Sequence, residues 1–178
     1  MHAVAKTPEA MTILLILAAT ILQCAARAQV KTANLGVAVR VLNACEAGAS
    51  DGSGGIGFGS MDFGVHYSLN NVIDIDGTAG NGAIRVRCVT GTPYRIAMNG
   101  GQYGTVPQRR MQGGPGNQPV AYNLYKNPAR TVVWDEVSGV ARSGNGQDQW
   151  TTVYARVPAQ LTPSAGAYAD VVMVTVTW

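Results

Sequence analysis

Residues 84–98, IRVRCVTGTPYRIAM, decide the fold of this chain of 178 residues. Apolar side chains occupy every second position on both sides of a turn at residues 90–93. A period of two is typical of a half-buried β-strand, and Gly and Pro favour the turn between two strands. The stretch therefore predicts two strands, with the inward positions Ile84, Val86 and Cys88 in the first and Tyr94, Ile96 and Met98 in the second.

The same pattern extends over most of the chain. Further strands are predicted at residues 35–41, 120–125, 131–134, 151–157 and 171–178, and the 22 Gly and 8 Pro residues fit the turns between them. Seven or so short strands favour an all-β fold, a two-sheet sandwich of the Ig-like type. With only 13% charged residues and a net charge of +3, the composition argues against a disordered tail, a coiled coil or a nucleic-acid-binding protein.

The first 28 residues differ from the rest. Lys6 lies in a short polar lead, residues 11–22 (MTILLILAATIL) form an apolar core, and Ala26-Arg27-Ala28 has the small-x-small pattern of a cleavage site. Twelve apolar residues are too few to cross a bilayer as a helix. Residues 1–28 are therefore predicted to be a cleaved secretory signal peptide.

Removing that segment takes away Cys24 and leaves two cysteines, Cys45 and Cys88. In an oxidising compartment they are expected to pair. Cys45 shares the parity of residues 37–41 and Cys88 that of residues 84–86, so both sulfurs would face the core if each strand continues without a bulge. Two free buried thiols are the alternative.

The two ends of the chain are unusual. Residues 29–43 form an alternating segment before the first cysteine, and residues 171–178, VVMVTVTW, are an apolar strand with nothing after it to cover its outer side. An uncovered apolar edge invites pairing with another chain, and head-to-tail pairing builds open fibres. Equally, residues 29–43 could fold back into the sheet of the same chain.

Several short pieces, in order along the chain, resemble the spore coat protein U family, which includes the pilins of archaic chaperone-usher pili. The pieces are Phe63-Gly64, residues 82–88 followed by 90–94, Arg110-Met111, residues 122–125, residues 153–158 and residues 166–170.

The resemblance implies an incomplete Ig-like sandwich over residues 44–178 that lacks its last strand. A periplasmic chaperone would lend a strand, and an outer-membrane usher would exchange it for residues 29–43 of the next subunit. The sequence does not fix where this donor segment ends. The expected donor side chains are Leu35, Val37, Val39 and Val41, and the expected acceptor edge, also the chaperone-binding edge, is Val172, Val174, Val176 and Trp178. The carboxylate of Trp178 is expected to be held by basic groups of the chaperone.

Patterns typical of enzymes and metal sites are weak. His66 has no catalytic partners in the sequence pattern, GSGGIG at residues 52–57 is not followed by a helix, and the acids of residues 74–77 (DIDG) lack the Glu that closes a calcium loop. We therefore expect no enzyme activity, no metal and no cofactor.

Three functions remain. The first is a structural subunit of a surface pilus, polymerising with itself or related pilins by donor-strand exchange, for adhesion and biofilm formation. The second is a coat protein of the cell or spore surface. The third is a surface-binding module at a fibre tip, although a tip adhesin would carry a further domain, for which about 150 residues leave no room.

Overall fold

The computed structural model describes residues 29–42, 44–50 and 56–178, so the predicted signal peptide lies outside the described residues. The chain divides into two units, at residues 1–40 and 41–178. In the first unit, residues 29–40 form no helix or strand, and every side chain is exposed. The half-buried strand predicted at residues 35–41 is therefore wrong, and no strand pair of the described residues includes them.

The described part of the second unit is all-β, as predicted, and every pair of strands is antiparallel. Its strands are β1 (Cys45–Ala47), β2 (Ala49–Ser50), β3 (Ile56–Gly57), β4 (Ile73–Asp76), β5 (Ile84–Cys88), β6 (Pro93–Met98), β7 (Arg109–Gly113), β8 (Gln118–Tyr125), β9 (Val140–Ser143), β10 (Asp148–Thr151), β11 (Tyr154–Val157), β12 (Tyr168–Ala169) and β13 (Val174–Thr177).

These strands form a five-stranded sheet in the order β12-β7-β8-β11-β4, two three-stranded sheets in the orders β1-β5-β10 and β13-β6-β9, and a small β2-β3 pair. One buried cluster takes side chains from β8 and β11 on one side and from β5 and β6 on the other. The sheets therefore pack as a sandwich around a single core. Trp134 is fully buried in it and donates its indole N–H to the carbonyl of Ile96 at 3.1 Å.

The disulfide predicted from the cysteine count joins Cys45 and Cys88. The two residues lie directly opposite each other in the β1–β5 pair, and Cys88 is buried in the core. The parity argument for Cys45 assumed a strand running on from residue 37, which the described residues do not form. The bridge depends instead on the register of β1 against β5.

Two other predicted strands need correction. Residues 131–134 form only an isolated bridge, Tyr125 to Val133, because the Asn127 side chain accepts the backbone N–H groups of Thr131 and Val132. Residues 151–157 belong to two strands, since β10 pairs in one sheet and β11 in another. The chain crosses between the layers there, at the buried Val153.

Candidate functional site: the open edge of the C-terminal strand and a cleft

The last strand, β13, is hydrogen-bonded on one side only. It pairs with β6, and no second strand of the described residues pairs with it. Val172, Val174 and Val176, called here the C-terminal row, are half-buried and pack on the core, whereas Val171 and Met173 point outward and are exposed. Unpaired backbone groups beside an apolar row form an edge to which another strand can add.

Trp178 has the parity of the C-terminal row but not its burial. Its side chain is 58% exposed, one residue beyond the end of β13. Of the predicted acceptor residues, the structure therefore places three valines together against the core and leaves the tryptophan in solvent. Their binding of a donor strand or a chaperone stays a prediction.

Residues 58–69 form a wall of the site that could not be identified from the sequence. Met61 and Phe63 are half-buried against the core and Asp62 between them is exposed, which is the alternation of a strand. Yet no backbone-to-backbone hydrogen bond of the described residues involves residues 58–68. This wall is thus an extended segment without a ladder partner, and its only signal in the sequence is the alternation around Phe63.

This wall borders a cleft of about 720 Å³, which the C-terminal row itself does not line. The lining includes residues 61–67 and Leu69 of the wall, and residues 162–168, which precede the C-terminal row. Apolar side chains of the five-stranded sheet and its approach line the rest, namely Ile73, Met111, Val120 and Val157. Apolar surface in such a cleft is costly to leave in water.

Tyr122 connects the wall at residues 58–69 to Asp170, which lies just before the C-terminal row. Its ring, on β8, packs edge-on against Phe63 with 6.4 Å between the ring centroids. Its hydroxyl donates to Oδ2 of Asp170 at 2.6 Å, and Oδ1 of Asp170 accepts the N–H groups of Gln102 and Val171. Burial and the bond to Asp170 raise the pKa of Tyr122 far above its usual value, so the phenol remains a donor at any physiological pH.

A buried arginine supports the start of the C-terminal row. Arg109 on β7 is fully buried and donates to the carbonyls of Asn99 and Trp134 at 2.6 and 2.7 Å and to the Asn123 side chain at 2.7 Å. The Asn99 side chain in turn accepts the N–H of Met173 at 2.9 Å. Burial lowers the pKa of Arg109. A buried arginine bound mainly by carbonyls has no sequence pattern, which is why it was missed.

The residues considered for catalysis or metal binding have other roles. His66 is exposed, and its Nε2 lies 2.7 Å from the carbonyl of Phe63. Asp74 is ion-paired with Arg156, whose hydrogen bond lowers the pKa of that carboxyl, and Asp76 is ion-paired with Arg130. Residues 52–55 of the glycine-rich stretch lie outside the described residues.

Within the described ranges, no group of three potential metal ligands comes together. In the same ranges, no helix has the length and apolarity needed to span a membrane.

The family model for the Spore Coat Protein U domain matches residues 31–175. This chain belongs to that family. A relative in the spore coat protein U family, Protein U of Myxococcus xanthus, is 30% identical over 161 residues, covering 86% of this chain and 88% of the relative. The resemblance inferred from the short sequence pieces is thereby confirmed.

Two solved structures are similar to this family member at low identity. One is the CsuC-CsuE chaperone–tip adhesion subunit pre-assembly complex of the archaic chaperone-usher Csu pili of Acinetobacter baumannii, at 21% identity and a TM-score of 0.48. The match covers 78% of this chain and 40% of that one. The other is a chaperone-usher pilus studied for rod uncoiling, at 17% identity and a TM-score of 0.47, covering 85% of this chain and 96% of that one.

The predicted donor residues of this spore coat protein U domain protein are all exposed. Leu35, Val37, Val39 and Val41, called here the N-terminal row, are between 73% and 89% exposed. Residues 29–42 carry no helix or strand. The row is in the state that a donor would have before it finds an acceptor, and its role as a donor stays a prediction.

Proposed function

We propose that this protein is a structural subunit of an archaic chaperone-usher pilus that polymerises by donor-strand exchange. The N-terminal row of one copy enters the cleft of the next and adds a strand along β13. The observation that carries the proposal is the open edge of β13, with the half-buried C-terminal row beside it. The family resemblance of the sequence supplies the assembly pathway.

The spacing of the two rows gives a physical argument for their pairing, in addition to the family resemblance. The N-terminal row spans residues 35–41 with a period of two, and the C-terminal row repeats with the same period along β13. A strand laid beside β13 would satisfy its free backbone groups and cover its valines in one step. Burying a Val or Leu side chain contributes about 1.5–3 kcal/mol, so several of them can offset the entropy of ordering the segment.

On this proposal the subunit is exported through the periplasm, where a chaperone occupies the cleft until an outer-membrane usher replaces it with the next subunit. The product is a surface fibre made of this chain, or of this chain and related pilins, that serves adhesion and biofilm formation. The role is structural and needs no catalytic group or cofactor. The open edge of β13, beside which another strand could add, supports a chaperone as the first partner.

A coat protein of the cell or spore surface is the second candidate. The observation in its favour is the relative from Myxococcus xanthus, which matches this chain over most of both lengths. Such a protein would assemble by the same strand addition, but into a layer rather than a fibre. A chaperone and an usher encoded beside this chain would favour the pilus.

The test compares two single substitutions in the full mature chain. Val37→Asp places a carboxylate in the N-terminal row, while Ala38→Asp places the same charge on the opposite face of the segment. Burying an unpaired carboxylate in the cleft costs several kcal/mol. We therefore expect Val37→Asp to slow polymerisation at least about a hundredfold, from about 3 kcal/mol at 1.4 kcal/mol per tenfold.

Polymers are read as a ladder on unboiled gels that collapses to monomer on boiling. Ala38→Asp is expected to retain the ladder, and deletion of residues 29–43 to abolish it. Equal ladders from the two substitutions would contradict the assignment of the N-terminal row. A monomer from the unmodified chain under all conditions would show that the sandwich is complete without a donor and would refute the proposed function.

A further inference from the structure

Charge is divided unequally between the two parts that the proposed function brings together. Residues 29–42 contain Lys31 and Arg40 and no acid. The chain then has no Lys or Arg from residue 41 to residue 84, and none after Arg156. Two stretches, called here the acidic walls, fall in these cation-free parts: residues 58–69, and residues 162–178, of which 162–168 line the cleft and the rest lead into β13. Their only formally charged side chains are Asp62, which lines the cleft, and Asp170, which lies just before the C-terminal row.

Asp62 is the more available of the two acids. It is exposed, it lines the cleft, and its hydrogen bond in the structure is from the N–H of Gly64 at 2.8 Å. Among the described residues no cation pairs with it, whereas Glu46, Asp74, Asp76 and Asp148 all have arginine partners.

Asp170 is held at the start of the C-terminal row by Tyr122 and by backbone N–H groups. The buried Arg109 is near enough to interact with it. Arg109 therefore offsets part of the Asp170 charge, and Asp62 is the better residue on which to test the charge of the cleft.

The cations of the donor segment flank its apolar row. Lys31 lies before Leu35, and Arg40 lies beside Val41 on the opposite parity, which would face away from the core of the acceptor. Asp170 stands at one end of the C-terminal row. A donor laid along β13 thus brings one of its cations toward that end in either direction of insertion.

We infer that the cleft selects residues 29–42 of a second copy of this chain by charge, with the basic donor attracted to acidic walls that carry no cation of their own. This inference rests on the proposed function and adds to it the identity of the partner and the force that guides it. Complementary charge acts mainly on the rate of association and is screened by salt. Donor segments rich in acids are disfavoured by the same walls.

The experiment exchanges charges within the full mature chain and measures the rate of ladder formation in 0.1 M and 1 M NaCl. Lys31→Glu with Arg40→Glu reverses the donor, and Asp62→Lys reverses the cleft. Each is expected to slow assembly about tenfold at 0.1 M salt. The triple variant restores opposite charges and is expected to assemble faster than either parent.

At 1 M salt, where the screening length is about 3 Å, the differences should shrink to about threefold or less. The control is Arg87→Glu with Arg142→Glu, which changes the net charge as much as the donor reversal does, at exposed positions outside the donor and the walls. It is expected to assemble at the rate of the unmodified chain.

Asp62→Asn keeps an oxygen for the N–H of Gly64 and removes only the charge, so it serves if Asp62→Lys fails to fold. It is expected to slow assembly about threefold at 0.1 M salt. If these substitutions leave the assembly rate at 0.1 M salt unchanged, or if the triple variant is as slow as its parents, selection by charge is refuted. The proposed function is not affected by either result. An unmodified chain that forms no ladder would instead refute the proposed function itself.

Discussion

The N-terminal row and the C-terminal row have the same sequence pattern and different structures. Both alternate apolar residues with a period of two, and both are rich in valine. The C-terminal row lies on and before β13, paired with β6 and half-buried, whereas the N-terminal row forms no strand and is exposed. A period of two therefore describes a face that can be buried, and a neighbouring strand decides whether a β-strand forms.

The disulfide gives the largest expected effect on this comparison, because it crosslinks the chain at β1, the first strand after the N-terminal row. Replacing Cys45 and Cys88 by Ser opens a loop with a sequence separation of 43 and should destabilise the sandwich by about 3–4 kcal/mol. Urea unfolding of the oxidised chain and of the double variant measures the difference. Equal midpoints would mean that the β1–β5 pair is held without the bridge.

Matched substitutions in the two rows give the next effect. Val174→Asp places a charge against the core and should lower the free energy of unfolding by about 2–3 kcal/mol, while Val39→Asp, at a site 89% exposed, should change it by less than about 0.5 kcal/mol. Thermal melts of the two monomeric variants provide the comparison. A similar loss in both would show that the N-terminal row is packed in the monomer.

The smallest expected effect is that of acid on Asp135, which supports β6, the strand that pairs with β13. Burial opposes ionisation of Asp135, but hydrogen bonds from Lys126, Ser138 and the N–H of Val137 outweigh it and hold the pKa of that carboxyl well below its usual range. Its backbone carbonyl also accepts the N–H of Met98 at the end of β6. The N-terminal segment has no carboxyl to titrate.

Because the folded pKa of Asp135 is lower than the unfolded one, its contribution to stability is complete above about pH 5 and is lost as the pH falls through about 4 toward the folded pKa. Urea unfolding at pH 7, 5 and 3 measures this loss, and Asp135→Asn should make the dependence flatter. A variant whose stability falls as steeply as that of the unmodified chain would assign the acid sensitivity to other carboxyls.

Strands whose buried face is visible as alternation within their own residues could be predicted from the sequence. β5, β6 and β8 are in this group, because the inward residues of each strand occupy alternate positions, whereas the cysteine pair could be predicted from the cysteine count alone. The predicted strand at residues 131–134 is wrong because Asn127 takes the backbone donors that a strand would need. A side chain that caps its own loop gives no periodic signal.

Only part of the site could be predicted from the sequence, for a related reason. The C-terminal row could be identified because its valines alternate, but of the half-buried residues in the wall at residues 58–69, namely Phe58, Met61, Phe63 and Leu69, only Met61 and Phe63 alternate. The roles of Tyr122 and Arg109 depend on contacts with residues 10 to 59 positions away along the chain. Such contacts are set by the sheet order and cannot be obtained from local pattern.

The position of the disulfide has a mechanical consequence. Cys45 is the first residue of β1, so a pull applied through residues 29–42 reaches the folded body at a covalent crosslink to β5. The tension passes directly to a strand hydrogen-bonded on both sides, to β1 and to β10, and β1 cannot be peeled away one hydrogen bond at a time. In the fibre that we propose, the subunit body would then yield under load later than the non-covalent joint between subunits.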